Sequence, residues 1–477
     1  MQKITNLTVA IGALGASIHL VGDKVSRFNG NSQYLALIRA LCRNNHIKHV
    51  IIMSVLGKGS ETIDAWKEAI PCGWEKLIYP TEMVHRIAKE GLKWDQQTFY
   101  SLRKPDENGK REEIPYWGGR AFQDLYAIYC RDKMPRIDFG LFFMTQGATA
   151  TGVEGVIMRR QDPNQYRLQL PSARKCYAPF LHAINVLKFP WFMISTDERL
   201  TESMPRYECG VNFPKNVLGQ WNHQIPWEVV ETYNIPNEYV VKNLEVEYAA
   251  VECLNLVDAT LVDPCNSRPI KFTVVANQST HRNDLTCQRF DQLKTWILDD
   301  DRSKDFNIYG EWSPAYITGF KDGSSKEAHQ ALIEYNKKYN DYKDIPPEDI
   351  IYPQFKGRVD AAVVDEVFQQ TRYTICFPVI PGYLTWKYLE ALMNGCLPFI
   401  PPFYDEQFNA IPEDSPLRVK TPDHLHAKIE WFEANPGARE KLVKYYQETL
   451  LKPCIDGSYL YPHINRFLEK HNVECRI

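Results

Sequence analysis

The sequence lacks the patterns that mark several large protein classes. None of its 12 cysteines forms a Cys-x-x-Cys pair or another metal-ligand spacing, so neither a metal site nor a disulfide framework is predicted. No apolar run approaches the roughly 20 residues that a membrane span needs. Met1-Gln2-Lys3 leads straight into a strand-like run without a signal peptide. We therefore expect a cytoplasmic protein with free thiols and no membrane partner.

Excess charge and the common phosphate-binding fingerprints are missing as well. The chain has neither a Walker loop nor a Gly-x-Gly-x-x-Gly fingerprint, so no resident nucleotide cofactor is predicted. Its net charge is only −3, which does not by itself favour a nucleic-acid partner. Any contact with DNA must therefore come from a local basic patch.

What is present indicates two α/β domains. The 477 residues exceed what one core normally supports, and an apolar fraction of 44% provides for two. Strand-like runs alternate with helix-like runs, which favours parallel sheets. The strand-like runs are Leu7–Ile11, His49–Val55, Leu141–Met144, Trp191–Ser195, Ala259–Val262, Phe272–Ala276 and Ile375–Val379. The polar, proline-bounded segment 263–269 is the predicted hinge.

The stretch 355–405 carries the most informative pattern: strand, helix, strand, glycine turn, helix, strand. Pro381-Gly382 breaks the chain after the middle strand, and a helix is predicted from about Thr385. Lys387 and Glu390 lie three residues apart and share one face near the helix start. A helix start with a glycine turn, a hydroxyl and a lysine favours phosphate, and the carboxylate can accept ribose hydroxyls. A nucleotide-sugar site and an ordinary surface Lys–Glu pair both fit this pattern.

This stretch resembles the donor half of GT-B glycosyltransferases, and among them the bacteriophage DNA β-glucosyltransferases. Those enzymes carry a Thr-x-Arg-x-x-Glu helix after a strand, and residues 385–390 read Thr-Trp-Lys-Tyr-Leu-Glu. Lys387 replaces the family's arginine, which keeps the charge without the bidentate geometry. Upstream, Arg282 lies in a loop after a strand and Gln288-Arg289 opens a helix, as in the family. The resemblance implies a donor site made of Arg282, Arg289, Gly382, Thr385, Lys387 and Glu390.

A second match lies in the amino-terminal half. The apolar run 190–195 leads into Thr196-Asp197, and α/β folds place ligand chemistry at the carboxyl ends of parallel strands. The family has a similar strand ending in Phe-Thr-Asp-x-Arg-Leu, whose Asp is the catalytic base. The resemblance implies Asp197 as the base, although Ser-Thr-Asp after a strand is also an ordinary helix cap.

One local segment is strongly basic. Residues 158–175 hold five cations against the single acid Asp162, a net charge of +4. Contact with the phosphates of DNA is one interpretation, and a solvated face is the other. The five cations are Arg159, Arg160, Arg167, Arg174 and Lys175.

The resemblance implies a GT-B fold, with two Rossmann-like domains whose parallel sheets face a central cleft. Residues 1–264, joined by a C-terminal helix in 456–477, would bind the acceptor, and 268–455 would bind the donor. Two segments, 93–116 and 212–239, look like insertions relative to the phage enzymes. They are interpreted as surface loops or as a lid.

The implied reaction is an inverting transfer of glucose or a pentose from a UDP-sugar, as co-substrate, to a hydroxymethylated pyrimidine of double-stranded DNA. The target base would flip out of the duplex. Cationic side chains would stabilise the leaving diphosphate, so the sequence requires no divalent metal. Two alternatives stay open: a GT-B transferase acting on a surface glycan or lipid-linked sugar, and a non-catalytic GT-B-like protein that binds sugar nucleotides or DNA.

Overall fold

The computed structural model divides the chain into two compact units. The first comprises residues 1–258 and 456–477, and the second comprises 259–455. The residues that the structure describes are 6–14, 20–21, 24–25, 32–55, 67–78, 96–100, 113–117, 136–144, 189–195, 217–222, 245–248, 256–265, 267–276, 284–318, 334–335, 337–339, 344–359, 361–378, 387–403 and 411–477.

The first unit is built on a sheet of seven parallel strands. Its strands and two short antiparallel pairs are β1 (Leu7–Leu14), β2 (Leu20–Val21), β3 (Lys24–Val25), β4 (Ile47–Val55), β5 (Leu77–Ile78), β6 (Gln96–Tyr100), β7 (Glu113–Trp117), β8 (Phe139–Met144), β9 (Trp191–Ser195), β10 (Val217–Asn222) and β11 (Glu245–Tyr248). The sheet order is β5-β4-β1-β8-β9-β10-β11. The chain thus starts in the middle, builds one side and then the other, as in doubly wound folds. The antiparallel pairs are β2–β3 and β6–β7.

Helix α1 (Ser32–Arg43) supplies much of the core of this unit. Its Leu35, Ile38, Leu41 and Cys42 are buried, as their helical spacing predicts. They belong to the same hydrophobic cluster as the apolar side chains of β1 and β4. Burying a large aliphatic side chain contributes roughly 1.5–3 kcal/mol, so this face of α1 stabilises the unit strongly.

The second unit has a five-stranded parallel sheet. Its strands are β12 (Ile270–Val275), β13 (Asn307–Tyr309), β14 (Phe355–Gly357), β15 (Thr371–Ile375) and β16 (Leu397–Phe399). The order β14-β13-β12-β15-β16 is again doubly wound. The predicted α/β class with two Rossmann-like parallel sheets is therefore confirmed. The helices that follow α1 are α2 (Asp284–Leu293), α3 (Pro314–Ile317), α4 (Ala361–Gln370), α5 (Lys387–Met393), α6 (Pro422–Ala434), α7 (Pro436–Tyr446), α8 (Lys452–Ile455) and α9 (Leu460–Lys470).

Short irregular turns extend several of these helices. Helix α2 runs on into a π-helical turn, Lys294–Leu298, and α7 into another, Gln447–Leu451. Three 3-10 turns lie at Trp74–Lys76, Asp301–Ser303 and Pro347–Asp349. Among the described residues, no helix combines the length and the apolar character required to cross a bilayer.

The last helix, α9, is part of the first unit. It presents Ile464, Phe467 and Leu468, all buried, to the hydrophobic cluster that contains α1 and β1. The turn before it uses Gly457 at φ +80°, where a Cβ would collide with Ala40 of α1. The chain can therefore approach α1 this closely only with glycine at that position.

Helix α5 ends at Gly395, as its sequence predicts. Gly395 has φ +72° and its N–H donates to the carbonyl oxygen of Leu392, while the N–H of Cys396 donates to that of Ala391. These two bonds form a Schellman motif, which requires the left-handed conformation that glycine adopts without strain. A Cβ on Gly395 would also meet Arg268 and the backbone of Pro264. The end of α5 is thus fixed both by conformation and by space.

The structure corrects several finer predictions from the sequence. Residues 259–262 join neither sheet, because the N–H of Val262 donates to the carbonyl oxygen of Met393 at the end of α5. The predicted hinge 263–269 lies inside the second unit. There the buried Arg268 donates to the carbonyl oxygens of Phe368 and Thr371.

The two segments predicted to be insertions contain regular structure. Strand β10, within 212–239, is an integral member of the seven-stranded sheet, paired with β9 and β11. Residues 217–222 of that segment are therefore part of the sheet. Strands β6 and β7, within or at the edge of 93–116, form an antiparallel ladder instead of an irregular loop.

Candidate functional site

The order of the second sheet identifies where a ligand is expected. Strand β12 is the first of this sheet in the chain and β15 is the fourth, yet they pair directly. The connections from these two strands therefore lead to opposite sides of the sheet. In open parallel sheets ligands bind outside the carboxyl ends of the strands at such a topological switch point. Among the described residues, the first helix after β12 is α2, which carries Arg289, and the first after β15 is α5, which carries Lys387 and Glu390.

Arg289 extends from α2 to the carboxyl end of β15. Its side chain is buried, and its Nε donates to the carbonyl oxygen of Pro378 at 3.3 Å. Pro378 lies three residues beyond Ile375, the last residue of β15. Helix α2 begins at Asp284, so Arg289 lies in the interior of the helix and does not open it as predicted. Residues 283 and 284 are Asn and Asp, types that favour helix starts. They indicate where α2 begins better than Gln288-Arg289 does.

Lys387 and Glu390 contact each other directly. The Nζ of Lys387 donates to the Oε2 of Glu390 at 2.7 Å, one turn apart on α5. The Glu390 side chain is only 5% exposed, whereas that of Lys387 is 25% exposed. The predicted pair therefore exists, but it is partly buried and is not the ordinary surface pair that the sequence also allowed. Among the described residues, no donor other than Lys387 bonds the carboxylate, so its Oε1 can accept from a ligand.

Burial makes ionisation of Glu390 unfavourable. Desolvation raises the pKa of Glu390, the ammonium of Lys387 lowers it, and the charge of Asp365 on α4 raises it again. The net direction is upward, because loss of water around the carboxylate outweighs the single cation beside it. Lys387 therefore favours the ionised form of Glu390, against the effect of burial.

A buried thiol lies among these charges. Cys376 directly follows β15 and is 4% exposed. Burial raises the pKa of the Cys376 thiol most, Cys396 and Glu390 add to this, and Lys387 and Arg289 oppose it. The thiol therefore stays neutral and acts as a packing group. Arg289, Lys387 and Glu390 thus all act electrostatically on this one thiol after β15.

The structure describes three of the predicted site residues and brings them together: Arg289, Lys387 and Glu390. The remaining predictions lie outside the described residues, although β9 ends at Ser195 as the sequence predicts. They are Asp197, Arg282, Gly382, Thr385 and the basic residues Arg159, Arg160, Arg167, Arg174 and Lys175. Among the described residues, no group of three His, Cys, Asp or Glu side chains could hold a metal ion.

The three described residues suit one kind of ligand. Two cations, Arg289 and Lys387, lie at the switch point with the carboxylate of Glu390, and Asp365 of α4 adds a negative charge behind it. The two cations suit an anionic ligand such as a diphosphate. The Glu390 carboxylate can accept hydrogen bonds from hydroxyl groups next to that anion. A phosphorylated molecule with adjacent hydroxyls meets both requirements.

Comparisons with known proteins find similarity among solved structures only. No model of a protein family matches the chain, and no curated protein matches it in sequence. Among solved structures, it is similar to the DNA-modifying β-glucosyltransferase of phage T4, with a TM-score of 0.47 and 10% identity over 97% of this chain and 100% of that one. It is also similar to Anabaena HepE in complex with UDP and glucose (TM-score 0.46, 9% identity, 97% and 99% covered). A third similar structure is an Escherichia coli trehalose-6-phosphate protein with UDP-2-fluoro glucose (TM-score 0.46, 8% identity, 96% and 98% covered).

Proposed function

We propose that this protein is an inverting GT-B glycosyltransferase that moves a sugar from a UDP-sugar to a hydroxymethylated pyrimidine in double-stranded DNA. The supporting observation is the placement of Arg289, Lys387 and Glu390 at the switch point of the second sheet. These are the residues that the resemblance to phage DNA β-glucosyltransferases assigns to the donor diphosphate and ribose. The second unit would accordingly bind the donor, and the first unit the acceptor.

On the donor side, the cations act on charge that develops as the sugar leaves. Arg289 and Lys387 would bind the diphosphate. Arg282, Thr385 and Gly382 would complete its binding site. Fixed positive charge at the leaving group is electrostatic preorganisation, often the largest contribution to catalysis. Glu390 would accept from the ribose hydroxyls through its Oε1, while Oε2 keeps the bond to Lys387.

On the acceptor side, Asp197 would act as the general base. It removes the proton of the hydroxymethyl group as that oxygen attacks the anomeric carbon. The bond from the anomeric carbon to the diphosphate oxygen breaks on the opposite face, and UDP leaves with the bonding electrons. The configuration at the anomeric carbon is thereby inverted. A base buried in a duplex must flip out before its substituent can reach such a site.

The proposal is tested with radiolabelled UDP-glucose and a UDP-pentose. Each donor is incubated with duplexes containing hydroxymethylcytosine, hydroxymethyluracil or unmodified pyrimidines, with and without a chelator. We expect label to enter one hydroxymethylated duplex only, with one donor preferred. Donor hydrolysis without transfer to any DNA would instead support a transferase for a glycan or lipid-linked sugar. A chain that neither binds UDP nor hydrolyses the donor would overturn the enzyme assignment.

The basic segment 158–175 separates the DNA acceptor from the glycan acceptor. Reversing Arg159 and Arg160 to Glu should weaken DNA binding for every sequence and reduce the salt slope by about two, since each phosphate contact contributes about 0.9. Affinity for UDP should not change. DNA affinity measured between low and physiological salt checks this prediction.

A matched control corrects for net charge. Lys441 and Lys444 are both exposed and lie three residues apart on α7. Reversing both to Glu changes the charge of the protein by the same amount and should leave the salt slope unchanged. Acceptor affinity that is insensitive to salt, or equal losses in both double variants, would remove the support for a DNA acceptor.

A further inference from the structure

The helix that carries Lys387 and Glu390 is held from behind by a buried amide. Asn394 directly follows α5 and is 1% exposed. Its Nδ2 donates to the Oδ1 of Asp365 at 2.7 Å and to the backbone carbonyl oxygen of Glu390 at 3.0 Å. Its Oδ1 accepts from the Nε2 of Gln369 at 3.0 Å. Both donors and the acceptor of the amide are thus satisfied, and this fixes one orientation.

The same contacts join α5 to α4. Asp365 and Gln369 belong to α4, one turn apart, and both reach Asn394. Beside them, Val364 and Phe368 of α4 share a hydrophobic cluster with Ala391 of α5. Because Asn394 bonds the backbone of Glu390 itself, the rotation of α5 about its axis determines where the Glu390 carboxylate points. The amide and the cluster together define that rotation.

Asp365 also acts on Glu390 through its charge. Its carboxylate adds to burial in raising the pKa of Glu390, against the lowering by Lys387. The titratable and charged groups that face Glu390 are Lys387 on its own helix, Asp365 on α4 and Cys376 after β15; Arg289 of α2 reaches Cys376. Of these, only Asp365 combines a charge with a hydrogen-bonded link to the backbone of Glu390.

We propose that Asp365 and Asn394 are positioning residues of the nucleotide site, which hold Glu390 toward the ribose hydroxyls, and that the charge of Asp365 sets the lower pH limit of nucleotide binding. This inference rests on the proposed function. Asp365 and Asn394 touch no substrate; they act through Glu390. Neither residue stands out in the sequence, since the contact depends on how α4 packs against α5.

UDP affinity measured by calorimetry from pH 5 to pH 8 tests both parts of the proposal in the full chain. Asn394→Ala should weaken UDP binding about tenfold at neutral pH without moving the acid limit, because the hydrogen bonds that orient Glu390 are lost and the charge of Asp365 remains. Asp365→Asn keeps an oxygen that accepts from Asn394, so it should bind UDP nearly as well as the wild type at neutral pH.

The pH profile of Asp365→Asn tests the second part of the proposal, that the charge of Asp365 sets the acid limit of binding. Removing a negative charge near Glu390 makes its ionisation easier, so its pKa falls. UDP affinity should then persist to lower pH than in the wild type. Asp365→Ala should combine both effects, with weaker binding at neutral pH and a lower acid limit. A merely structural role would not shift the acid limit in a variant whose neutral affinity is normal.

Glu366→Gln is the matched control. Glu366 is the next residue on α4 and is exposed, so the substitution removes the same charge from the same helix at a solvent-facing position. It should change neither affinity nor the acid limit. If Glu366→Gln shifted the limit as far as Asp365→Asn, a diffuse effect of net charge would replace the proposed local one.

Hydrogen exchange of the peptide 387–396, measured without nucleotide, gives a readout that is independent of the proposed function. Asn394→Ala and Asp365→Ala should speed exchange there, and Asp365→Asn should not. Wild-type exchange, affinity and pH profile in Asn394→Ala and Asp365→Asn would overturn the inference. A wild-type chain that binds no UDP would overturn the proposed function instead, and exchange alone would then decide whether the two residues hold α5. If Asn394→Ala does not fold, Asp365→Asn still tests the charge.

Discussion

Asp197→Asn is expected to lower the turnover of sugar transfer by at least ~100-fold, the scale on which removal of a general base acts. The amide has nearly the shape of the carboxylate but does not take the proton of the acceptor hydroxyl. The residues proposed to bind UDP are elsewhere in the chain, so UDP affinity should stay close to the wild-type value. Single-turnover transfer, measured alongside calorimetry with UDP, separates the two effects.

The neighbouring carboxylate provides the control for this substitution. Glu198→Gln removes the same charge one residue later, at a position to which the family motif assigns no role. It should leave turnover within a few-fold of the wild type. If Asp197→Asn transferred sugar at the wild-type rate, Asp197 would be a helix cap, the other interpretation of Ser-Thr-Asp after a strand.

Local patterns in the sequence were sufficient to predict the elements that carry the site. The strand β9, the buried face of α1 and the end of α5 at Gly395 all follow from apolar spacing and from the conformational freedom of glycine. Lys387 and Glu390 share a face because three residues separate them on a helix. Each of these inferences needs only residues that are close in the chain, which is why they hold.

Features that depend on distant contacts were not predictable in this way. Glu390 is buried on a helix whose next residue, Ala391, shares a cluster with Val364 and Phe368 of α4, and that packing is not visible in the residues around Glu390. The run 259–262 has the composition of a strand, yet its backbone bonds the end of α5 and the side chain of Gln447. Strand β10 was not predicted, because prolines and tryptophans surround it in the sequence and the strands that pair with it, β9 and β11, are remote in the chain. Long-range pairing, rather than propensity, decided these cases.

Lys387→Ala is expected to destabilise the second unit by about 2–4 kcal/mol at neutral pH. Removing one partner of a buried ion pair leaves the other charge without compensation, which costs about 3–5 kcal/mol when burial is complete. Lys387 is 25% exposed, so the expected loss is somewhat smaller than for complete burial. Glu390→Gln leaves no buried charge and should cost only about 1 kcal/mol. Hydrogen exchange of residues 387–399, referenced to intrinsic rates, reports the local free energy of opening.

The loss in Lys387→Ala should grow as the pH rises. Burial already raises the pKa of Glu390 in the folded protein, so the folded state binds its proton more tightly than the unfolded state. Stability from this group is therefore greatest below the ordinary glutamate value and falls as the pH rises through the shifted one. Without Lys387 the pKa rises further and the fall is larger. At a pH low enough to protonate the carboxyl, Glu390 needs no counter-ion, and the variant should approach the wild type.

The exposed pair Lys452–Glu448 is the matched control for the buried one. Its Nζ–Oε2 distance is 3.0 Å, and both side chains are about two-thirds exposed. Lys452→Ala should therefore cost no more than about 0.5 kcal/mol at any pH, as for exposed helix pairs. A loss in Lys452→Ala as large as that in Lys387→Ala would contradict the account that rests on burial of Glu390.

The double variant Lys387→Ala/Glu390→Gln separates stability from ligand binding. It contains no buried charge, so it should be more stable at neutral pH than Lys387→Ala alone, which is the opposite of additive losses. UDP affinity should not recover, because the charge-assisted bonds to phosphate and to ribose are both gone, each worth about 1.5–3 kcal/mol. Each single substitution should already weaken UDP binding about tenfold or more. Unchanged UDP affinity in both single variants would show that the nucleotide binds elsewhere, while additive stability losses would show that Lys387 does not compensate Glu390.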